Sequence, residues 1–375
     1  MSDPIIFPKD DERDARLGRA MALPSLDETL NAWLAARHAE QPMDWPAKLA
    51  DVRMTGDGLI SRGRKGIRST YRAFGTLVRN WSGRRVRNMA AVLAALPVAS
   101  PEDQRAAEVL AKDAHSPRAC AVNAFLRSGE QTATVVFRTR LVDGVRTFVA
   151  PVTETHSRED SDDPVMIDAL RTGFMEALGV ARASFYRGID SSECRIVFPN
   201  MTVTAGRAVW SGYVTAVNSE TSTCSWSISA GLYRNHDGAT LAVEATGKVG
   251  RHVGRAMVRM VEATEAASFM LRDLMRHADA WMTRPCHWEE SAMLKRLTGA
   301  LVKARASDEA IASIAMALAE RGTGLAQVID AIASAAAGEI AGRGRAVALE
   351  QMAGRLLIHG WEEGLTVKSQ VGGEE

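Results

Sequence analysis

Apolar residues recur every third or fourth position through the last third of the chain, a period that predicts helices. The pattern predicts one long helix over 255–281 and four Ala-rich helices after it, at 289–305, 308–321, 325–337 and 344–359. Proline and glycine residues separate these segments, as they do at helix ends. We therefore expect a C-terminal helical bundle that follows one long helix.

The N-terminal part carries a clear signal for the start of a helix. Ser25 and Glu28 have the spacing of a capping box, so a helix is predicted to begin at Ser25 and to be interrupted near Pro42. Residues 86–96 and 101–112 also have helical patterns. This region is therefore predicted to be mainly helical.

The middle of the chain changes to the alternating pattern of strands. Asp143-Gly144 suits a tight hairpin turn between two alternating segments. A helix is predicted over 163–178, and further strands at 194–199, 201–205, 208–217, 224–233 and 239–245. Ser and Thr occupy alternate positions in several of them, which is typical of a sheet with one wetted face.

These patterns predict an α+β fold in which an antiparallel sheet packs on a long helix, between an N-terminal helical region and the C-terminal Ala-rich bundle. The predicted parts are a flexible arm (1–24), a helical and basic region (25–125), a β-rich core with the long helix (126–282), a C-terminal helical bundle (283–360) and a disordered tail (361–375).

Composition narrows the class of protein. The 375 residues are 46% hydrophobic and 24% charged, with a net charge of +1, which excludes a wholly disordered or collagen-like chain. The four cysteines form no CxxC pair, so we expect reduced thiols. No apolar run is long enough for a membrane span. The chain is predicted to be cytoplasmic, with no membrane partner.

Catalytic patterns are weak. The histidines show no metal-ligand spacing, and no cofactor or metal site is predicted. Asp237, Glu244 and Lys248 resemble a metal-dependent nuclease triad in type but not in spacing, so a nuclease is only the second alternative. The acidic loop 154–163 is interpreted as a solvated turn that leads into a helix. We do not predict an enzyme.

A basic segment suggests a different chemistry. Residues 58–90 hold nine Lys or Arg and no acid. Arginine binds phosphates, aromatic faces stack on unpaired bases, and a helix over 68–81 would put several arginines on one face. The alternative is a solvated basic face paired with acids at 10–14 or 154–163. The predicted DNA-binding residues here are Arg62, Arg64, Lys65, Arg68, Tyr71, Arg72, Phe74, Arg79, Trp81, Arg84, Arg85 and Arg87.

A second basic cluster surrounds the start of the long helix. Lys248, Arg251 and Arg255 are predicted to add contacts to nucleic acid, because cations at a helix N-terminus oppose its dipole unless an anion is near. Pairing of this cluster with acids one turn further on is the alternative. The hairpin arginines Arg138, Arg140 and Arg146 are predicted to lie on one wetted face of the sheet, which would complete a basic groove.

Short motifs resemble the phage- and plasmid-borne domain of unknown function 932 family. They are Asn218-Ser219-Glu220, Leu232-Tyr233-Arg234, Arg251-His252-Val253-Gly254-Arg255, Gln327-Val328-Ile329-Asp330-Ala331-Ile332 and Leu349-Glu350-Gln351-Met352-Ala353-Gly354-Arg355-Leu356-Leu357. In this family a cysteine-bearing turn usually follows the second motif, where this chain has Asn235-His236-Asp237-Gly238. The resemblance implies a mobile-element protein and assigns no activity.

A basic segment is followed by a hairpin, further strands and a long helix. This order of elements is also similar, at the fold level, to the core of phage single-strand annealing proteins of the Rad-fifty-two type. The resulting hypothesis is a homo-oligomeric protein, as a ring or filament, that binds single-stranded DNA and anneals strands in phage or plasmid recombination. A phage structural or assembly protein is the first alternative.

Overall fold

The computed structural model describes twelve stretches of the chain. They are residues 23–48, 52–54, 59–62, 65–69, 134–152, 163–175, 178–188, 192–206, 208–218, 226–244, 256–338 and 343–365.

Two sheets and seven α-helices make up these described stretches. The helices are α1 (Leu26–Ala39), α2 (Asp163–Leu170), α3 (Ala256–Met282), α4 (Glu290–Lys303), α5 (Asp308–Arg321), α6 (Leu325–Gly338) and α7 (Arg343–Gly364). The strands are β1 (Met43–Lys48), β2 (Arg53–Met54), β3 (Leu59–Arg62), β4 (Lys65–Ser69), β5 (Thr134–Val142), β6 (Val145–Val152), β7 (Arg182–Arg187), β8 (Ser192–Ala205), β9 (Ala208–Asn218), β10 (Ser227–Arg234) and β11 (Thr240–Glu244). The predicted mixed α+β class and helical C-terminal region are confirmed.

The start of α1 is set by the predicted capping box. The hydroxyl of Ser25 accepts a hydrogen bond from the backbone of Glu28 at 3.2 Å, and the carboxylate of Glu28 accepts one from the backbone of Ser25 at 2.8 Å. Two of the N–H groups that a helix start leaves without partners are thus satisfied. Leu26, Leu30 and Trp33 then bury one side of the helix.

The five-stranded sheet is antiparallel throughout, in the order β11-β10-β9-β8-β7. The two strands predicted at 194–199 and 201–205 are one continuous strand, β8, whose pairing with β9 is irregular between Phe198 and Thr202. The irregularity lets the strand continue past Pro199, where sequence alone indicates a break. Strand β7 has only a weak alternation and was not predicted.

The six-stranded sheet has the order β1-β5-β6-β4-β3-β2 and is antiparallel except where β4 runs parallel to β6. Its centre is the predicted hairpin of β5 and β6. Asp143 and Gly144 have φ of 51° and 74°, the left-handed conformation that a two-residue primed turn requires.

One part of the predicted organisation is wrong. Residues 43–69, placed in a helical region, contribute strands β1 to β4 where they are described. Pro46 ends the helical pattern but is accommodated in β1, an edge strand on which proline is tolerated. These strands are short and pair with residues far along the chain, so local alternation gave no clear signal for them.

The core lies between one face of the five-stranded sheet and the helices. Leu271 of α3 packs close to Gly212 of β9, and a side chain at that glycine would crowd the leucine at 3.2 Å. Buried residues from α1 to α7 form one continuous apolar cluster. Helix α7 is interrupted at Gly360, whose φ is 72°, and the helical turn that follows to Gly364 buries Trp361, so the predicted disordered tail does not begin at 361.

Candidate nucleic-acid interface

Strands β3 and β4 form a basic hairpin from the first part of the basic segment. Arg62 lies directly opposite Lys65 in the register, and Arg68 lies opposite Leu59. Arg68 also pairs in parallel with Thr147 of β6, which attaches the hairpin to the six-stranded sheet. Three predicted DNA-binding residues thus share one small structural unit, which we call the basic hairpin (residues 59–69).

The helix considered over 68–81 does not include its first two residues, because Arg68 and Ser69 belong to strand β4. Sequence reasoning weighed the helical spacing of the arginines and missed the pairing of Ile60 with Ile67 across the hairpin. The other predicted DNA-binding residues fall outside the described residues, together with the helices predicted at 86–96 and 101–112. These residues are Arg64, Tyr71, Arg72, Phe74, Arg79, Trp81, Arg84, Arg85, Arg87, Lys248, Arg251 and Arg255.

The predicted wetted face of arginines on the β5–β6 hairpin is wrong. Arg138 is 8% exposed and donates to the carboxylate of Asp44 at 3.0 and 3.2 Å. Arg140 is 5% exposed and donates to Glu40 at 3.0 Å. Arg146 donates to the backbone carbonyl of Gln41. Glu40 follows α1 and Asp44 lies on β1, so pairing of β1 with β5 brings these carboxylates onto the arginines.

Asp163, interpreted from sequence as part of a solvated turn, is fully buried. Its carboxylate accepts hydrogen bonds from the Trp33 indole at 2.7 Å, the Ser192 hydroxyl at 2.9 Å and the Asn218 amide at 2.8 Å. The Arg187 guanidinium donates to the same carboxylate. A buried carboxylate is tolerated only when it is paired and hydrogen-bonded in this way.

The charges continue from Asp163 to the other sheet. Arg187 of β7 holds both oxygens of Glu40 at 2.8 Å, and Glu40 also accepts from Arg140 of β5. Two acids and two arginines thus form a neutral row between the two sheets, which we call the inter-sheet charge row (Asp163, Arg187, Glu40, Arg140). It fixes how β5 and β7 meet.

The second face of the five-stranded sheet is polar and partly exposed at its Ser and Thr positions, since Thr202 and Thr204 are exposed and Ser227 is half-buried. Its central residues are buried. Arg195 is 9% exposed and donates to Glu193 at 2.7 Å. The Thr215 hydroxyl donates to the Tyr213 oxygen at 2.6 Å. Burial raises the pKa of Tyr233 on the same face. This face is therefore closed around Arg195 and Tyr213 and exposed at Thr202 and Thr204.

Arg234, part of a family-like motif, is 1% exposed and organises a third polar cluster. It donates to Asp237 at 2.8 Å and to Ser334 at 2.6 Å, and it also contacts Asp330. Burial alone would raise the pKa of Asp237, but the hydrogen bonds and charge of Arg234 outweigh burial and hold that pKa below 3.8. Asp237, considered for a nuclease triad, is engaged by a guanidinium.

A cleft of about 240 Å³ lies beside this cluster. Some polar side chains that line the cleft already bind each other, since Arg321 donates a hydrogen bond to Asp330 at 3.2 Å. The residues that give it chemical character are Trp210, His236, Met282, Arg321, Gln327 and Asp330. Within the described stretches, no three His, Cys, Asp or Glu side chains are grouped as a metal site would need.

Sequence reasoning missed Asp163, Arg187 and Arg234 as organising residues. Several of their partners lie far away in the chain, with Trp33 130 positions from Asp163 and Asp330 96 positions from Arg234, so no local pattern could indicate those contacts. Asp237, three residues after Arg234, is a local signal for the third cluster. Of the helices in the described stretches, none combines the length and apolarity of a membrane span. Comparisons with protein-family models, curated proteins and solved structures find no match to this chain.

Proposed function

We propose that this chain binds single-stranded DNA through the basic hairpin and the basic segment that follows it, and that it anneals strands in phage or plasmid recombination as a homo-oligomer. The observation that carries the proposal is the register of the basic hairpin. Arg62 is paired directly with Lys65, and like charges at directly opposed positions destabilise a pair of strands. Arg64 lies between them in the sequence, so three cations fall within four positions. A polyanion would relieve this repulsion.

Two carboxylates on or next to β1 are already engaged and do not supply that counter-charge. Glu40 is engaged by Arg140 and Arg187, and Asp44 is engaged by Arg138. The segment 58–90 contributes no acid of its own. Of the acids at 10–14 and 154–163, the structure describes only Asp163, which is engaged by Arg187. The absence of acids within the segment and the engagement of Glu40 and Asp44 support an external anion.

The residues after the hairpin suit a single strand better than a duplex. Tyr71, Phe74 and Trp81 are interleaved with arginines, and stacking of a base on an aromatic side chain contributes about 1–3 kcal/mol. With about five cations engaged, the logarithm of affinity should fall with a slope of about −3.5 against the logarithm of salt concentration. The expected loss between about 50 and 200 mM salt is about a hundredfold.

Fluorescence anisotropy with a labelled oligothymidine tests the proposal. The variant Arg62→Ala/Arg64→Ala/Lys65→Ala should lower the slope to about −1.4, so that affinity changes only about sevenfold over the same salt range. The matched control is Lys295→Ala/Lys303→Ala/Arg305→Ala, which removes three exposed cations from α4 and the turn after it. It should bind like wild type.

Equal losses in the two triple variants, or no binding by wild type, would contradict the proposal. An annealing assay with two complementary labelled strands then separates annealing from binding alone. Large assemblies that form without any DNA would favour the alternative of a phage assembly protein, and cleavage of the probe with magnesium would favour the nuclease.

A further inference from the structure

We propose that the outer face of α3, centred on Phe269, is the contact between two antiparallel copies of this chain. Phe269 is 75% exposed and lies at the midpoint of α3, with thirteen residues of the helix on either side. A large aromatic side chain in that position loses the benefit of burial that it gains at an interface. The outer face of α3 is the stripe of Val258, Glu262, Glu265, Phe269, Arg272 and Arg276.

This stripe is separate from the side of α3 that packs on the sheet. Met260, Ala267, Leu271 and Leu274 are fully buried and account for the inner side of the helix. On the outer side Val258 is 51% exposed. A surface helix normally carries one apolar stripe, so a highly exposed aromatic side chain on the opposite side, flanked by charged residues, marks a position where a partner can pack.

The charges on the outer face identify that partner as a second copy. Glu262 lies seven residues before Phe269, and Arg276 lies seven residues after it, so each is about 10.5 Å from Phe269 along the helix axis. An antiparallel pair that crosses at Phe269 places Glu262 of each copy opposite Arg276 of the other. A parallel pair would place glutamate opposite glutamate and arginine opposite arginine, which is unfavourable.

The helix dipole does not account for this distribution. Its effect is confined to the first and last turns, whereas Glu262 and Arg276 each lie six residues from an end of α3. The two-fold arrangement makes the contact isologous and closed, so this surface produces dimers and no longer chain of subunits. The inference deepens the self-association part of the proposed function and is tested without nucleic acid.

Sedimentation equilibrium of the full chain across about 1–100 µM, the range in which small interfaces associate, tests the dimer. Wild type should approach twice the 40.5 kDa mass of one chain, and Phe269→Glu should remain at 40.5 kDa. Met316→Glu is the matched control, because Met316 is 65% exposed on α5. It should behave as wild type.

Charge exchange tests the antiparallel geometry. Glu262→Arg alone and Arg276→Glu alone should each weaken association at least about tenfold, and the double exchange should restore it because both new pairs are again opposite in sign. A wild-type chain that stays monomeric, association unaffected by Phe269→Glu, or a double exchange weaker than either single variant would overturn the proposal. Loss of DNA binding by a chain that still forms this dimer would count against the proposed function alone.

Discussion

Removal of the Asp163 carboxylate tests how strongly the inter-sheet charge row holds the two sheets together. The variant Asp163→Ala takes away the acceptor shared by Trp33, Ser192 and Asn218, and it leaves the guanidinium of Arg187 with one fewer carboxylate. The Arg187 side chain is only 3% exposed, so water cannot replace the lost partner.

The magnitude follows from this burial. Breaking a buried ion pair by removing one partner costs about 3–5 kcal/mol, because the remaining charge stays buried. Asp163 is fully buried and Arg187 nearly so, and Arg187 keeps Glu40 as a partner, which places the loss near the lower end of this range. Domains are stable by only about 5–15 kcal/mol, so Asp163→Ala should remove a large share of the stability.

Urea unfolding followed by far-ultraviolet circular dichroism measures the effect, with Asp168→Ala as the matched control. Asp168 lies on the same helix but its side chain is 77% exposed and 3.6 Å from Arg171, so its removal should cost at most about 1 kcal/mol. Asp163→Asn keeps the shape and removes only the charge, so its loss should fall between those two. If Asp163→Ala and Asp168→Ala lose equal stability, the charge row does not hold the sheets.

Two further predictions concern close packing and pH. Gly354→Ala should destabilise the chain, because a methyl group there would overlap the carbonyl oxygen of Ala242. Gly299→Ala has open space around it in α4 and should stabilise the chain by about 0.5–1 kcal/mol. Thermal unfolding compares the two variants, and equal shifts in their unfolding temperatures would refute the close approach of Gly354 to Ala242. Arg234 holds the pKa of Asp237 in the folded chain below its ordinary value, so the stabilising contribution of Asp237 is present above the ordinary pKa and is lost as pH falls through the folded pKa. The stability difference between wild type and Asp237→Asn in a urea titration should therefore be constant above about pH 5 and shrink below about pH 4, the ordinary pKa of an aspartate, and a difference independent of pH would contradict the pairing.

Features of the fold that depend on local signals were predictable. Ser25 and Glu28 give the start of α1, Asp143-Gly144 gives the β5–β6 turn, and helical periods give α3 to α7 close to their observed bounds. Each signal lies within a few residues of the structure that it specifies. Tertiary contacts did not need to be known.

Features that depend on distant partners were not predictable. Arg138 and Arg140 appear from sequence to be surface cations, and only the pairing of β1 with β5 shows them on Asp44 and Glu40. In the sequence, Asp163 is likewise only one carboxylate of an acidic stretch. Its buried role is seen only in the fold, which brings the indole of Trp33 to it. The cations of the basic hairpin were predicted to bind DNA, but its two strands were not predicted, since they are short and attach to β6 through a parallel pairing.

The close contact of Gly354 with Ala242 has a consequence for synthesis of the protein. Strand β11 is at the end of its sheet, and helix α7, which lies against it, is the last described element of the chain. Until the ribosome has released α7, the unpaired backbone of β11 is open to other nascent chains, and such an edge is a template for aggregation. Heterologous expression should therefore yield soluble protein only from versions that retain the chain through Leu365.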